Sequence, residues 1–405
     1  MAVTLISGPA EISYTRNPIN IKVQLEADPE YSDVYALCTI YSSLTDVIAI
    51  LYARPDDDYH AEFDISSVLD SINNFSIPDI SVTHEKITDF VKSYWCSIQQ
   101  FDDGSIHRAP LNVGRTGDTI TLFSIKGGLS QEKISTDIFS LFTTRKMFLT
   151  WLTESKVIEA QKHYLYYLHQ NGDENLLAKV KVYYSDGTKC AETTLYDFGT
   201  VSKYNLLKIA CGFDQQSIGN IEPTKTAIYY KVWLEINESS SSSSSSASGS
   251  SSSSSSSSSS VLRAGNYTFT LSNDYVPFSV YITNANSLGG FDFIVMKGNI
   301  TSGITPDSKE FEQINSSGHN ISSFNHTIEK NRKAATGYIS KNRLDILSDI
   351  FLTKERYEIL NSALIKIHIS NKSKLEYNEI DNLFGMILEY RRSYVNKNFT
   401  PDVIS

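Results

Sequence analysis

Apolar and polar residues alternate with a period of two in short stretches of the first part of the chain. Ile19–Leu25 is the clearest of these stretches, because every second residue in it is apolar. This period is typical of a β-strand that buries one face. Tyr35–Tyr41, Val47–Tyr52 and Val91–Phe101 are predicted as further strands at similar intervals. Several short strands within about a hundred residues predict an immunoglobulin-like (Ig-like) β-sandwich over residues 1–110.

A similar series of strands continues over residues 111–237. His163–His169 alternates in the same way, with both histidines on one face of the predicted strand. Strands are also predicted at Ala178–Tyr184, Lys189–Tyr196 and Ile228–Ile236. We therefore predict a second β-sandwich in this range, although no residue-level repeat relates it to the first.

Residues 238–260 differ in composition from the rest of the chain. From Ser239 to Ser260 every residue is serine except Ala247 and Gly249. A stretch without large apolar side chains buries nothing that could offset the entropy cost of ordering it, so it predicts a flexible linker. Such a linker would let the units on its two sides bind different neighbours. Two alternatives stay open: the serines stand in for unidentified residues, or the tract has no role.

A mixed pattern over residues 261–405 predicts an α+β domain. Lys354–Ala363 is predicted as a helix because Thr353 can cap its N-terminus. The polar segment Thr301–Lys333, rich in Asn and Ser, is predicted as an exposed loop. The strands predicted in this domain are Asn266–Leu271, Phe278–Thr283, Phe291–Met296, Ile365–Ile369 and Gly385–Tyr394. The predicted fold class is thus mainly β: two Ig-like β-sandwich domains, a Ser-rich linker and an α+β C-terminal domain.

Composition and charge narrow the classes of partner. A net charge of −10 and a pI near 5.4 disfavour nucleic acid, whose phosphates need clustered Lys and Arg. No apolar run approaches the length of about 18 residues that a membrane span requires, and Met1–Ala10 lacks the pattern of a signal peptide. The 24 Tyr and 19 Phe favour protein interfaces. The four scattered cysteines are predicted as buried apolar residues, with a Cys38–Cys96 disulfide as the alternative.

The sequence contains none of the familiar catalytic or cofactor motifs. GxSxG, GxxxxGK, HExxH and GxGxxG are all missing, so we predict no catalytic residues, no cofactor and no enzymatic activity. A pair of glycosidase carboxylates stays open, since such a pair needs proximity in space and not in sequence.

Two groups of residues carry side chains that can bind metal ions. Asp56–Asp58, with Glu62 and Asp64 nearby, could supply oxygen ligands to calcium, but an Asp-rich hairpin turn is the commoner explanation of such a run. His163 and His169 would lie about 20 Å apart along a strand, too far to share one ion. We therefore predict no metal site.

The segment LGGFDF is predicted to form a tight turn that leads into a strand. Gly289 and Gly290 can adopt the positive φ that such a turn requires. Phe291 and Phe293 would then face one side of the strand and Asp292 the other, anchoring the hairpin in its own domain or at a subunit contact. The residues of this structural turn or interface are Leu288, Gly289, Gly290, Phe291, Asp292 and Phe293.

Three stretches carry a resemblance to a known group of proteins. They are Leu51–Leu69 (LYARPDDDYHAEFDISSVL), Lys162–His169 and Leu288–Lys297 (LGGFDFIVMK). Together they resemble uncharacterised, tail-associated virion proteins of phages and prophages of Bacteroides-like gut bacteria, a group that includes the crAss-like phages. The resemblance implies a virion structural protein of the tail or baseplate, assembled in the host cytoplasm. It would contact other virion proteins and copies of itself.

A different class of function stays open beside this expectation. An adhesin module that binds the host surface or a carbohydrate would also need no catalytic motif. Such a module would expose an aromatic platform able to stack on sugar rings.

Overall fold

The chain is mainly β, as predicted, with 54% of residues in strands and 7% in helices. Among the described residues, no helix is both long and apolar enough to cross a membrane. The structure is a computed structural model that describes residues 3–26, 34–102, 105–106, 110–130, 146–237, 262–272, 278–315, 318–361, 363–378 and 383–393.

The first unit is a β-sandwich. One sheet has the strand order β1–β3–β6, and the other has the order β2–β13–β8–β4–β5, with β9 and β10 also beside β8. The elements are β1 (Thr4–Ser7), β2 (Ile12–Tyr14), β3 (Asn20–Gln24), β4 (Val34–Tyr41), β5 (Val47–Ala53), β6 (His60–Asp64), α1 (Ser66–Ile72), β7 (His84–Ile87), β8 (Lys92–Asp102), β9 (Ser105–Ile106), β10 (Leu111–Val113), the small hairpin β11 (Arg115–Thr116) and β12 (Thr119–Ile120), and β13 (Leu122–Ile125).

The core of this sandwich follows from the alternation in its strands. Cys38 and Ile40 of β4 are fully buried, and so are Val23 of β3 and Ile98 of β8, which belong to the same apolar cluster. Cys96 is also buried there. All four cysteines are free thiols, so the Cys38–Cys96 disulfide considered above does not form.

The larger sheet of the second unit repeats the strand order of the larger sheet of the first. Its larger sheet has the order β14–β20–β19–β16–β17, and its smaller sheet has the order β15–β18–β7. In both units the first strand of the larger sheet runs parallel to its neighbour, β2 to β13 and β14 to β20. The elements are β14 (Glu154–Val157), β15 (Tyr164–Leu168), β16 (Glu174–Tyr184), β17 (Thr193–Val201), β18 (Leu206–Ala210), a 3-10 turn (Ile218–Asn220), β19 (Ala227–Ile236) and β20 (Leu262–Leu271).

One strand joins the two sandwiches. β7 lies in the connection between β6 and β8 of the first unit, yet it pairs with β18 of the second, with Ile209 opposite His84. The buried Lys208 adds an ion pair across this junction, with its Nζ 2.8 Å from a carboxylate oxygen of Glu85. The second sandwich therefore completes its smaller sheet with a strand from the first.

The Ser-rich segment lies outside the described residues, but the strands on its two sides are described. β19 precedes it, β20 follows it, and they pair antiparallel, with Glu235 opposite Leu262 and Val232 opposite Tyr267. The sequence assigned Asn266–Leu271 to the C-terminal unit. The pairing places this strand in the second sandwich, because its buried residues complete the apolar face of that sheet. The two sides of the segment are therefore joined in one sheet.

The C-terminal region forms an eight-stranded sheet. Its order is β22–β21–β25–β26–β28–β24–β23, with β27 also beside β28. The elements are β21 (Val280–Ala285), β22 (Phe291–Met296), β23 (Ile300–Asn315), β24 (Gly318–Ala335), α2 (Lys341–Leu347), α3 (Asp349–Leu352), β25 (Arg356–Leu360), β26 (Ala363–Ile369), β27 (Lys374–Asn378) and β28 (Leu383–Arg392).

Two sequence predictions for this region are wrong. The predicted helix Lys354–Ala363 is largely strand β25, which pairs with β21 on one side and β26 on the other. Ladder hydrogen bonds on both sides outweigh a modest helix propensity. The predicted loop Thr301–Lys333 forms most of the long hairpin of β23 and β24. Polar residues suit such a hairpin because its backbone pairing needs no apolar face.

A single apolar cluster joins all three units. It includes Tyr14 of the first unit, Tyr166 and Leu206 of the second, and Phe291 and Tyr357 of the third. Each of these side chains is at least nine-tenths buried. The units therefore share a core, as the domains of one packed body do.

Candidate interaction sites

The LGGFDF turn connects β21 to β22. Gly289 has a φ of +91°, which a glycine adopts at no steric cost. The Asn286 side chain holds the turn, since its Oδ1 accepts hydrogen bonds from the backbone N–H of Leu288 at 3.1 Å and of Gly290 at 3.0 Å. The turn is thus built from one amide side chain and two glycines.

This turn lies at the centre of the molecule. A Cβ on Gly289 would lie 2.7 Å from the carbonyl oxygen of Lys126 in the first unit, and one on Gly290 would lie 2.4 Å from that of Leu149 in the second. Tyr14 donates a hydrogen bond from its hydroxyl to the Leu288 carbonyl at 3.2 Å. The backbone of the turn therefore touches both sandwiches.

The side chains of the turn are all buried. Phe291 packs near Tyr166 of the second unit, with ring centroids 6.0 Å apart, and near Phe75 of the first at 6.2 Å. Phe293 lies 5.1 Å from the ring of His163. Leu288 is fully buried in the same cluster. The turn thus forms a contact between units of one chain.

Asp292 is a buried carboxyl group in this contact. Thr150 of the second unit donates a hydrogen bond from its hydroxyl to Asp292 Oδ1 at 2.6 Å. Burial raises the pKa of Asp292 to about 6, although the hydrogen bonds from Thr150 and Asn286 act in the opposite direction. The group therefore changes charge between mildly acidic and neutral pH while enclosed by protein.

A cleft of about 850 Å³ opens beside the turn. Its lining includes the carboxylates Asp70, Asp345 and Asp349. Partial burial of Asp70 acts to raise its pKa, but hydrogen bonds from Lys126 at 2.7 Å and from Thr15 outweigh it, and the pKa is lowered. A glycosidase acid needs the opposite shift. The ion pair suits a structural role for Asp70.

The Asp-rich segment forms a turn held by its own backbone. Asp56 Oδ1 accepts hydrogen bonds from the N–H of Asp58 at 3.0 Å and of His60 at 2.8 Å. A carboxylate that accepts from the backbone two residues on is the usual Asx-turn. In the described ranges, no group of three or more His, Cys, Asp or Glu side chains could hold a metal ion.

The two candidate histidines flank β15 and are buried. His163 packs against Phe269, with ring centroids 4.9 Å apart, and burial lowers the pKa of His163 to about 3. The Nε2 of His169 lies 2.8 Å from the carbonyl oxygen of Gly172. Both rings therefore belong to the core.

Strand β5 is an apolar, partly exposed edge strand of the first sandwich. It ends its sheet and pairs only with β4 among the described strands. Val47, Ile50 and Tyr52 are 52%, 49% and 70% exposed. No residue of β5 is charged, and Asp46 and Arg54 lie directly beyond its two ends.

The outer face of the same sheet continues this apolar surface. On β4, Thr39 lies opposite Ile50 and the half-buried Leu37 lies opposite Tyr52. The sequence predicted the strand but not its place at an edge. The signal was the uncharged run between Asp46 and Arg54, because a strand with one face in water usually carries polar residues at every second position.

Comparisons with known proteins add little beyond this architecture. No family model matches the chain, and no curated protein sequence matches it. A crystal structure of CBD12 from CALX1.2 aligns at 9% identity and a TM-score of 0.20, covering 58% of this chain and 81% of that one. The bacterial integrin-binding protein invasin aligns at 7% identity and a TM-score of 0.25, covering 98% of this chain and 78% of that one. Scores this low extend neither protein's binding properties to this chain.

Proposed function

We propose that this protein is a non-enzymatic structural component of a phage virion, in the tail or baseplate. It works by binding other virion proteins and copies of itself during assembly in the host cytoplasm. The resemblance of LYARPDDDYHAEFDISSVL and LGGFDFIVMK to tail-associated virion proteins supports the class of protein. The observation that carries the mode of action is the uncharged, exposed edge strand β5.

An exposed edge strand presents a row of unpaired backbone N–H and C=O groups to any other extended chain. Soluble monomers usually block such edges with charges, prolines or bulges. β5 has neither a charge nor a proline, and its one irregularity lies near its first residue, so Ala49–Ala53 keeps a regular register with β4. An edge of this kind supports a role in strand addition to another protein.

The shared core supports the same role. Because the three units are packed around Phe291 and its neighbours, the edge at β5 has a fixed position relative to the rest of the chain. Repeated assembly requires such fixed geometry, since a closed or helical particle repeats one interface many times.

The test is co-assembly of the purified chain with an extract of the virion, followed by sedimentation or mass photometry. Wild type is expected to enter large complexes, and Ile50→Lys is expected to lose them because it places a charge on the apolar edge. Thr194→Lys is the matched control, since Thr194 is an exposed residue on β17, the edge strand of the second sandwich. A wild-type chain that stays monomeric with and without extract would refute the proposal.

The alternative is an adhesin module that binds a host-surface glycan. The observation in its favour is that Phe278 and Tyr338, both in the C-terminal region, are each 77% exposed. Tyr and Phe are enriched at binding interfaces relative to the rest of a protein surface. Binding of the full chain to a glycan array, lost in Tyr338→Ala and kept in Ile50→Lys, would favour this alternative.

A further inference from the structure

We propose that two copies of this chain pair through β5, antiparallel and centred on Ile50, to form one continuous sheet across a two-fold axis. This inference rests on the proposed function, in which β5 binds an extended protein segment. It goes further by naming that segment as the same strand of a second copy.

The apolar residues of β5 match themselves in this arrangement. With Ile50 opposite its own copy, Val47 lies opposite Ala53, Ile48 opposite Tyr52 and Ala49 opposite Leu51. Every cross-strand pair from Val47 to Ala53 is then apolar, and no like charges meet. An isologous interface needs this self-complementarity, since both copies present the same patch.

The charges beyond the strand ends complete the match. Counted along the sequence through the irregularity near Val47, the same register places Asp46 opposite Arg54 at each end, which gives two opposite-charge pairs per dimer. Both residues are exposed. Arg54 is held at the strand end by Tyr35, whose hydroxyl accepts a hydrogen bond from the guanidinium at 2.6 Å and whose ring lies 5.1 Å from it.

Other registers and directions lose these charge pairs. Centring the pair on Leu51 would place Asp46 opposite Asp56, which are like charges. Centring it on Ala49 would place Asp46 opposite Tyr52 and Arg54 opposite Leu44, so neither residue would lie opposite a charge of the other copy. A parallel, in-register pair would set each charge beside its own copy. The charge pattern therefore selects the antiparallel register centred on Ile50.

Cysteine cross-linking tests this register directly. In Ile50→Cys the two introduced thiols would lie opposite each other, with Cα atoms about 4.5–5.5 Å apart, a separation that a disulfide spans. Tyr52→Cys is the matched control, because its thiols would be offset by four residues, or about 13 Å. The four native thiols are buried, and the wild type gives the background. Mild oxidation should cross-link Ile50→Cys, at least about tenfold more than Tyr52→Cys, on a non-reducing gel.

Charge reversal provides a second readout. Asp46→Arg would place two arginines opposite each other at both ends and should weaken dimerisation about tenfold or more in sedimentation experiments. Adding Arg54→Asp to the same chain restores opposite charges and should restore the dimer. Equal cross-linking of Ile50→Cys and Tyr52→Cys, or no recovery in the double variant, would overturn the pairing.

The same experiments separate self-pairing of β5 from binding of β5 to a different virion protein. If no self-pairing occurs while Ile50→Lys still abolishes binding to the virion extract, β5 binds a different virion protein. Self-pairing is then overturned and the proposed function stands. If neither self-pairing nor binding to the extract is seen, both fall.

Discussion

Replacing Asp292 by asparagine should stabilise the protein at neutral pH, and this stabilisation should become smaller as the pH falls. The Asp292 carboxyl group is buried between the second and third units, and its pKa in the folded protein is raised from 3.8 to about 6. The folded state therefore keeps the proton up to a higher pH than the unfolded state does. The stability that the protonated group contributes is fully present below pH 4 and is lost as pH rises through 6.

The magnitude follows from the size of the shift. A displacement of about two pKa units corresponds to about 3 kcal/mol at 1.36 kcal/mol per unit. Asparagine is neutral at every pH, and its amide oxygen can accept the hydrogen bond from Thr150 as the protonated carboxyl group does. The difference in unfolding free energy between Asp292→Asn and wild type should thus grow by about 2.5 kcal/mol between pH 4 and pH 7, because the unfolded state has already lost part of its protons at pH 4.

Urea unfolding at five pH values from 4 to 8, followed by tryptophan fluorescence, measures this difference. Asp186→Asn is the control, because hydrogen bonds from Thr188 lower the pKa of the exposed Asp186 below its ordinary value of 3.8. Its titration therefore lies below most of this pH range, and the difference between Asp186→Asn and wild type should stay nearly constant. A difference between Asp292→Asn and wild type that stays constant over this range would show that the carboxyl group is not desolvated as described.

Two further predictions concern the turn and the Ser-rich segment. Gly290→Ala should destabilise the protein by about 1–3 kcal/mol in thermal or urea unfolding, since its Cβ would meet a backbone carbonyl that cannot move away. Gly172→Ala, whose Cβ would meet nothing within 4 Å, should leave stability nearly unchanged. Replacing residues 238–260 by a turn of about four residues should keep the fold and raise the unfolding free energy by about 1 kcal/mol, because a shorter loop costs less entropy to close. Unfolding of either side of the chain on this replacement would contradict the pairing of β19 with β20.

The sequence predicted those strands in which apolar and polar residues alternate along one short segment. Ile19–Leu25 contains β3, and Tyr35–Tyr41 contains most of β4, because alternate burial on a sheet appears directly as alternate apolar residues. Lys354–Ala363 was misassigned because its strand pairs with β21, more than seventy residues earlier in the chain, as well as with the adjacent β26. Local pattern also could not show that His84–Ile87 joins the sheet of the second sandwich.

For the candidate site, the sequence predicted the local turn but not the residues that surround it. Two adjacent glycines before an apolar run predicted a turn leading into a strand, and the structure has a turn at residues 287–290 followed by β22 from Phe291. Its surroundings could not be predicted, because Tyr14 and Leu149 reach it from more than a hundred residues away. The absence of charge between Asp46 and Arg54 could be read from the sequence, but its importance depends on the position of β5 at a sheet edge.

The pairing of β19 with β20 has a practical consequence. The register fixes Glu235 beside Leu262, so whatever chain connects them begins and ends at two neighbouring points of one sheet. We expect that a small insert with adjacent termini, such as an epitope or a small fluorescent protein, can connect these two points without separating β19 from β20. Residues 238–260 are thus a position at which an internal marker could be attached to locate the chain within any larger assembly that it joins.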